Sequence, residues 1–226
     1  MGVRFSPPAP RIPGMKKYNY ILLDWDGNLA KTLDIWLNAA RIVIEQHDIY
    51  KSDNEIGASF GKIIDHFGQW GIADPKAVYE EVDRIAKQTL PDVDLYPDAL
   101  FVLQKLHESG KHLALITTSP HENVKHLLEK YNMRHFFEVI ISGDDVENHK
   151  PHPEPLEKAL AQLGGIKELA VMIGDSDKDV GAAQNFGVDS ILFFPEEHHK
   201  FYHYETLRAL KPTHIVDDFK QILETI

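Results

Sequence analysis

The sequence predicts an α/β fold, a doubly wound parallel sheet with an α-helical domain inserted into it. Three observations predict it. Short apolar runs of strand length alternate with stretches of helical periodicity. The runs are continuous rather than alternating, as strands covered on both faces require. The alternation is suspended once, between Thr32 and Leu95, where only helical spacing is found.

Taken in order, Tyr20 to Leu23 is the first strand, and it runs directly into Asp24, Asp26 and Gly27. Leu33, Trp36, Leu37, Ala40 and Ile44 then recur at helical spacing, followed by Phe60, Ile63, Ile64 and Phe67. A third helix starts at Asp74-Pro75, a capping residue before a first-turn proline, and carries Val78, Val82 and Ile85. After this insertion Pro97 opens a helix with Leu100, Leu103 and Leu106, closed by Gly110. Leu113 to Thr117 is the next strand. Ser119-Pro120-His121-Glu122 has the spacing of a capping box, so a helix is expected to about Tyr131. Val139 to Ile141 is a strand, and Leu156, Ala159, Leu160 and Leu163 mark a helix stopped by Gly164. Leu169 to Ile173 is the fourth strand, and Asp177 is expected to cap the helix that ends near Gly187. Ser190 to Phe194, Ile215-Val216 and a helix from Asp218 to Ile226 complete the core.

Composition narrows the function. The 226 residues suffice for a core domain carrying a smaller one, and 43% hydrophobic with 26% charged residues is ordinary for a globular protein. A formal net charge of -11 disfavours nucleic acid and anionic membrane as partners. The chain has no cysteine, which excludes disulfides and thiolate metal sites. No apolar run reaches the length of a membrane span, and no secretory signal is recognisable, so a cytoplasmic protein is expected. Residues 1–14 are proline-rich and aperiodic and are expected to form a disordered leader, with Met15 as an alternative start.

The residues that carry chemistry stand at strand ends. The first strand ends in Asp24 and Asp26, the second in Thr117 and Thr118, and the fourth in Gly174-Asp175-Ser176-Asp177-Lys178-Asp179. Lys150-Pro151 precedes that fourth strand. In an open α/β sheet the carboxyl ends of the strands share one edge, where ligands bind. Two acids at that edge suit a hard divalent cation, or a nucleophile paired with an acid/base. Acids, a hydroxyl, a cation and free amides at helix starts together meet the needs of phosphoryl transfer.

These four motifs, Asp24-Trp25-Asp26-Gly27, the Thr117 strand end, Lys150-Pro151 and Gly174 to Asp179, occur in the order found in the haloacid dehalogenase (HAD) superfamily. From Met15 onward the chain resembles its phosphoglycolate phosphatase-like branch, which has a helical cap. The resemblance implies a Rossmann-like HAD core over residues 15–32 and 96–226 and an α-helical cap domain over 33–95. It implies a magnesium-dependent phosphatase that acts on a small phosphorylated metabolite through an aspartyl-phosphate. Asp24 would be the nucleophile and Asp26 the acid/base. Lys150 would offset charge, and Thr117, with Thr118 beside it, would bind the phosphoryl group. Asp24, the main-chain carbonyl of Asp26, and Asp175 would hold Mg2+, with Asp179 orienting that shell or touching the ion. Phosphoglycolate is the expected substrate. A pyrophosphatase, a sugar-phosphate phosphatase or a phosphomutase is the alternative within the superfamily. A non-catalytic binding module on the same fold is the alternative outside it. Either a monomer or a homodimer is compatible with these features.

Several residues depart from the family pattern or stand outside it. Asn28 replaces the usual threonine, and Lys31 stands where many relatives carry an acid. Lys31 is expected to be a solvated hinge residue, and Trp25 to pack in the core rim. Gly57-Ala58-Ser59-Phe60-Gly61-Lys62 is the expected specificity loop, with Lys62 reaching a substrate anion. His66 and Trp70 would line the same cleft or pack inside the cap. His198, His199 and His203 lack ordered ligand spacing and are expected in a polar surface loop.

Overall fold

The computed structural model describes residues 18–226, so the leader expected at residues 1–14 lies outside the described residues. Six strands form one sheet: β1 (Tyr20–Leu23), β2 (His112–Ile116), β3 (Val139–Ile141), β4 (Ala170–Gly174), β5 (Asp189–Phe193) and β6 (His214–Val216). Their order is β3-β2-β1-β4-β5-β6, and every pairing is parallel. Leu23 aligns with Leu115 on one side and Ile173 on the other, so the residues after β1, β2 and β4 emerge side by side.

Both sheet faces are covered, which explains the unbroken apolar runs. Ile21 and Leu23 point to the face packed by α5 (Ala99–Glu108), α6 (His121–Lys130) and α10 (Phe219–Thr225). Leu22 points to the face packed by α7 (Glu154–Gln162) and α8 (Asp177–Phe186). All three β1 side chains are fully buried. Each such burial contributes roughly 1.5–3 kcal/mol, which makes β1 a rigid base for the acid that follows it.

The inserted segment folds as α1 (Leu33–Glu45), α2 (Asp53–Ser59), α3 (Ile63–Gln69) and α4 (Pro75–Thr89). These helices share an apolar cluster that includes Leu37, Val43, Phe67, Val78 and Val82. The chain enters and leaves this layer through adjacent backbones, since Lys31 N–H donates to the Asp94 carbonyl at 2.9 Å. A second connection comes from the loop after β5. The Asn54 amide donates to the carbonyls of His199 and Lys200 at 3.2 and 3.0 Å.

Local structure differs from expectation at several element boundaries. Helix α2 was not expected, because its capping box, Ser52 with Glu55, precedes a run with little apolar periodicity. It takes up Gly57 to Ser59, so the expected specificity loop shrinks to Phe60-Gly61-Lys62. Ser119 does not cap α6. His121 N–H donates to Asp144 Oδ2 at 2.8 Å instead, and the Ser119 hydroxyl turns to Asp26. Asp177 does not cap α8 either; Ser176 does, in a capping box with Asp179. Helix α5 starts at Ala99 rather than Pro97, and its core face is Ala99, Val102, Leu103 and Leu106, leaving Leu100 exposed. Helix α9 (Tyr204–Ala209) lies in a stretch to which no element was assigned from the sequence.

The histidine segment is also corrected. His198 is fully buried, and its Nε2 lies 2.8 Å from the Tyr96 hydroxyl. Burial pushes its imidazole down to about 3, so it stays neutral. Lys31 is not free in solvent: its ammonium pairs with Glu197 at 2.8 Å and lies 5.2 Å from the centre of the Tyr96 ring. Trp25 sits inside the core at 2% exposure, deeper than a rim position.

Candidate active site

The site forms where β1, β2 and β4 end. Asp24 follows Leu23, and its N–H donates to the Ile173 carbonyl at 2.9 Å, extending the ladder by one residue. Gly27 then turns the chain with φ +72, in the left-handed region that glycine enters without strain. Glycine is required there twice over, because a Cβ at this position would lie 2.3 Å from Asp175 Oδ2. Asn28 secures the turn from below, its amide donating to the carbonyls of Asp24 at 3.0 Å and Ile173 at 3.3 Å.

Lys150 is the electrostatic centre. Its ammonium contacts Asp24 Oδ1 at 2.7 Å and Asp179 Oδ1 at 2.6 Å, and donates to the Ile116 carbonyl at 3.1 Å. The lysine side chain is 3% exposed, so these partners replace nearly all of its water. Despite its burial, the two carboxylates raise its pKa, and it stays charged. Asp179 spends its other oxygen on Ser176, accepting from the hydroxyl at 2.6 Å and the N–H at 3.1 Å.

Ligand atoms of Asp24, Asp175 and Asp179 all lie within 4.8 Å of one another, and all three residues are buried. One lysine cannot balance three carboxylates. Burial, with Asp179 beside it, pushes Asp24 up to about 7. Burial, with Asp179 and Asp24 beside it, pushes Asp175 well up, while Lys150 and Ser176 hold Asp179 down. The Tyr202 hydroxyl bonds Asp175, yet Asp175 Oδ2 is buried without a partner. An all-oxygen donor set, a charge deficit and an orphaned oxygen fit a hard divalent cation such as magnesium.

Asp26 stands apart from this cluster. Its Oδ1 accepts from Thr32 Oγ1 at 2.7 Å, and its Oδ2 from Ser119 Oγ at 2.7 Å and more weakly from Thr117 Oγ1 at 3.4 Å. Thr117 is buried at 3% exposure, and its hydroxyl also accepts the Ser119 N–H at 3.0 Å. Thr118 is exposed and borders the cleft above the acids. That cleft measures about 530 Å³ and is roofed by α1, α3 and α4. Lys62 lines the cleft, whereas His66 and Trp70 pack on each other at 5.8 Å within the helical layer.

The structure thus brings Asp24, Lys150, Asp175 and Asp179 into one cluster, with Asp26 and Thr117 bonded beside it. Sequence reasoning missed Ser119, Thr32 and Tyr202. Ser119 was within reach of the strand-end rule, being two residues past Thr117. Tyr202 carried no signal, since it arrives from a loop beyond β5.

A family model of the haloacid dehalogenase-like hydrolases matches residues 21–193 of this chain. A pyrophosphatase PpaX of Halalkalibacterium halodurans is 34% identical over 180 residues, covering 77% of this chain and 82% of that protein. A phosphoglycolate phosphatase of Salmonella typhimurium is 36% identical over 132 residues, covering 58% of this chain and 51% of its own. Among solved structures, a haloacid dehalogenase-like hydrolase from Bacteroides fragilis is similar with a TM-score of 0.80 and 27% identity, over 91% of this chain and 100% of that one.

Proposed function

The chain belongs to the haloacid dehalogenase-like hydrolases, and on that premise we propose a magnesium-dependent phosphatase that acts on a small phosphorylated metabolite through an aspartyl-phosphate on Asp24. One observation carries this reading. Asp24, at the floor of the cleft, has one oxygen held by Lys150 at 2.7 Å and lies within ligand distance of Asp175.

In the first half-reaction an Asp24 carboxylate oxygen attacks phosphorus. The new O–P bond forms as the ester O–P bond breaks, and Asp26 gives its proton to the leaving oxygen. In the second, Asp26 takes a proton from water as that water's oxygen attacks phosphorus. The bond to Asp24 breaks, the carboxylate returns and inorganic phosphate leaves. Thr32 and Ser119 hold the Asp26 carboxyl in one orientation for both proton transfers. Lys150 holds Asp24 in place and offsets negative charge gathered at the phosphoryl group.

Magnesium would be held by Asp24 and Asp175, the latter through its unpartnered Oδ2. The main-chain carbonyl of Asp26 would be a further ligand. Both oxygens of Asp179 are engaged by Lys150 and Ser176, which favours an orienting role for that residue. When bound, the ion supplies charge neutralisation at the phosphoryl oxygens. Residues 33–95 would act as a cap whose closure excludes water during the first transfer, with Thr118 and Lys62 as substrate contacts. The absence, among the described residues, of any helix long and apolar enough to cross a membrane is compatible with a cytoplasmic enzyme.

Phosphoglycolate is the first reference substrate. Pyrophosphate is the second, favoured by the 34% identity to a protein of that name. Phosphate release from phenyl phosphate, with and without magnesium, tests the reading. Asp24→Asn is expected to lose at least about a thousandfold in rate, since nucleophile removal leaves only binding and charge effects. Equal rates for variant and parent would reject it.

A further inference from the structure

The helical roof of the cleft is apolar. Leu37, Ile63, Phe67, Val78 and Val82 bury themselves within the helical layer. Trp36, Ile64 and Tyr79 from these helices, and Phe60 from the loop before α3, remain half-buried, and all four border the cleft above Asp24. Four large apolar side chains in one polar cleft are not the scattered apolar residues of an ordinary surface. They form a wall that faces the position a leaving group would occupy.

Charged groups sit at the edge of that wall rather than within it. Lys62 borders the cleft, and so does Asp65, three residues later at the start of α3. Lys178 also reaches the rim, but its side chain lies against Gly61 and its ammonium is 3.9 Å from Asp177. Lys150 is already committed to two carboxylates. A second phosphate or a compact carboxylate beside the transferred phosphoryl group could meet Lys62 or Lys178 at the rim, but it would not fill the space beneath the apolar side chains. It would also leave the aromatic wall uncovered. A cleft of about 530 Å³ lies within the range of pockets that enclose a medium-sized organic molecule.

We propose that the preferred substrates are phosphomonoesters of medium-sized apolar or aromatic alcohols, whose organic group packs against Trp36, Phe60, Ile64 and Tyr79. This rests on the phosphatase reading above and deepens it. The phosphoryl chemistry is unchanged; the leaving oxygen takes the Asp26 proton and departs as the alcohol. Burying a methylene on such a wall is worth about a fourfold gain in binding. Hexyl phosphate should therefore exceed ethyl phosphate by at least about tenfold in kcat/KM, at matched leaving-group acidity.

The test compares hexyl, benzyl and ethyl phosphates with phosphoglycolate and pyrophosphate, with magnesium, in the parent, Asp24→Asn, Trp36→Ala, Trp36→Phe and Ile64→Ala. The expected result is hexyl and benzyl phosphates leading by about tenfold or more. Trp36→Ala should cut the hexyl-to-ethyl ratio by roughly tenfold, mostly through KM, while Trp36→Phe keeps most of it. Ile64→Ala, on another helix of the roof, should also lower the ratio and stands in should Trp36→Ala not fold. Preference for phosphoglycolate or pyrophosphate, lost in Asp24→Asn, would overturn the inference and leave the phosphatase standing. An unchanged ratio in folded Trp36→Ala and Ile64→Ala would also overturn it. Absence of magnesium-dependent release from every ester would overturn both readings.

Discussion

Replacing Lys150 by methionine removes one ammonium and keeps the length of the side chain. In the parent that ammonium sits 2.7 Å from Asp24 and 2.6 Å from Asp179, with a third contact to the Ile116 carbonyl at 3.1 Å. The methionine would leave two buried carboxylates facing each other without a cation. Removing one member of a buried ion pair costs about 3–5 kcal/mol. The metal-free variant should therefore unfold at much lower urea than the parent at pH 7.5. The deficit should depend on pH. Burial and Asp179 already push Asp24 up to about 7 from an ordinary 3.8, and loss of Lys150 pushes it further. Such a folded state holds protons that the unfolded chain has released, so its stability falls as pH rises above about 4 and recovers on acidification. Urea unfolding followed by fluorescence at pH 5.5 and 7.5, with chelator present, reads both effects. A cost under about 1 kcal/mol at pH 7.5, or a deficit that does not shrink at pH 5.5, would refute the view of Lys150 as the charge that holds these acids together.

Two further expectations concern the frame of the site. Gly27→Ala should cost clearly more than Gly71→Ala. Both glycines have positive φ, +72 and +91, but a Cβ meets Asp175 Oδ2 at 2.3 Å in the first and nothing within 4 Å in the second. Backbone strain alone is worth roughly 1–2 kcal/mol; equal unfolding midpoints for the two variants would show that position 27 has room. His198→Phe should change the acid response. Burial holds His198 down to about 3, so between that value and 6.5 the folded state binds fewer protons than the unfolded chain. Stability from this residue is therefore lost as pH falls through 6.5, by about 2 kcal/mol between pH 7 and 5, and His198→Phe should lose less than the parent over that range. Parallel urea titrations at the two pH values would expose a parent that loses no more than the variant.

The order of elements was legible because buried strands and amphipathic helices carry periods that local spacing records. Tyr20 to Leu23 and Ala170 to Ile173 are buried on two faces, so they read as continuous apolar runs. The strand-end rule then drew attention to Asp24, Thr117 and Asp175, because a parallel sheet brings such ends to one edge. Local spacing misled where a side chain chose a distant partner over a near one. Ser119 matches a capping box, yet its hydroxyl is worth more to the Asp26 carboxylate 93 residues away. His198 lies in a polar-looking stretch, yet it folds under Tyr96, 102 residues earlier.

Strand number, the helical interruption and the identity of the acids follow from the chain alone, since hydrophobic period and glycine turns are properties of neighbours. Which oxygen each acid offers, and to whom, was decided only by folding. Lys150 finds Asp24 and Asp179 because a sheet 126 and 29 residues of chain apart closes around it, and Tyr202 reaches Asp175 from a loop with no pattern of its own. The apolar roof over the site is tertiary for the same reason. Trp36 and Tyr79 obey the helical period like their buried neighbours, and only the docking of the helices over β1 leaves them facing the cleft.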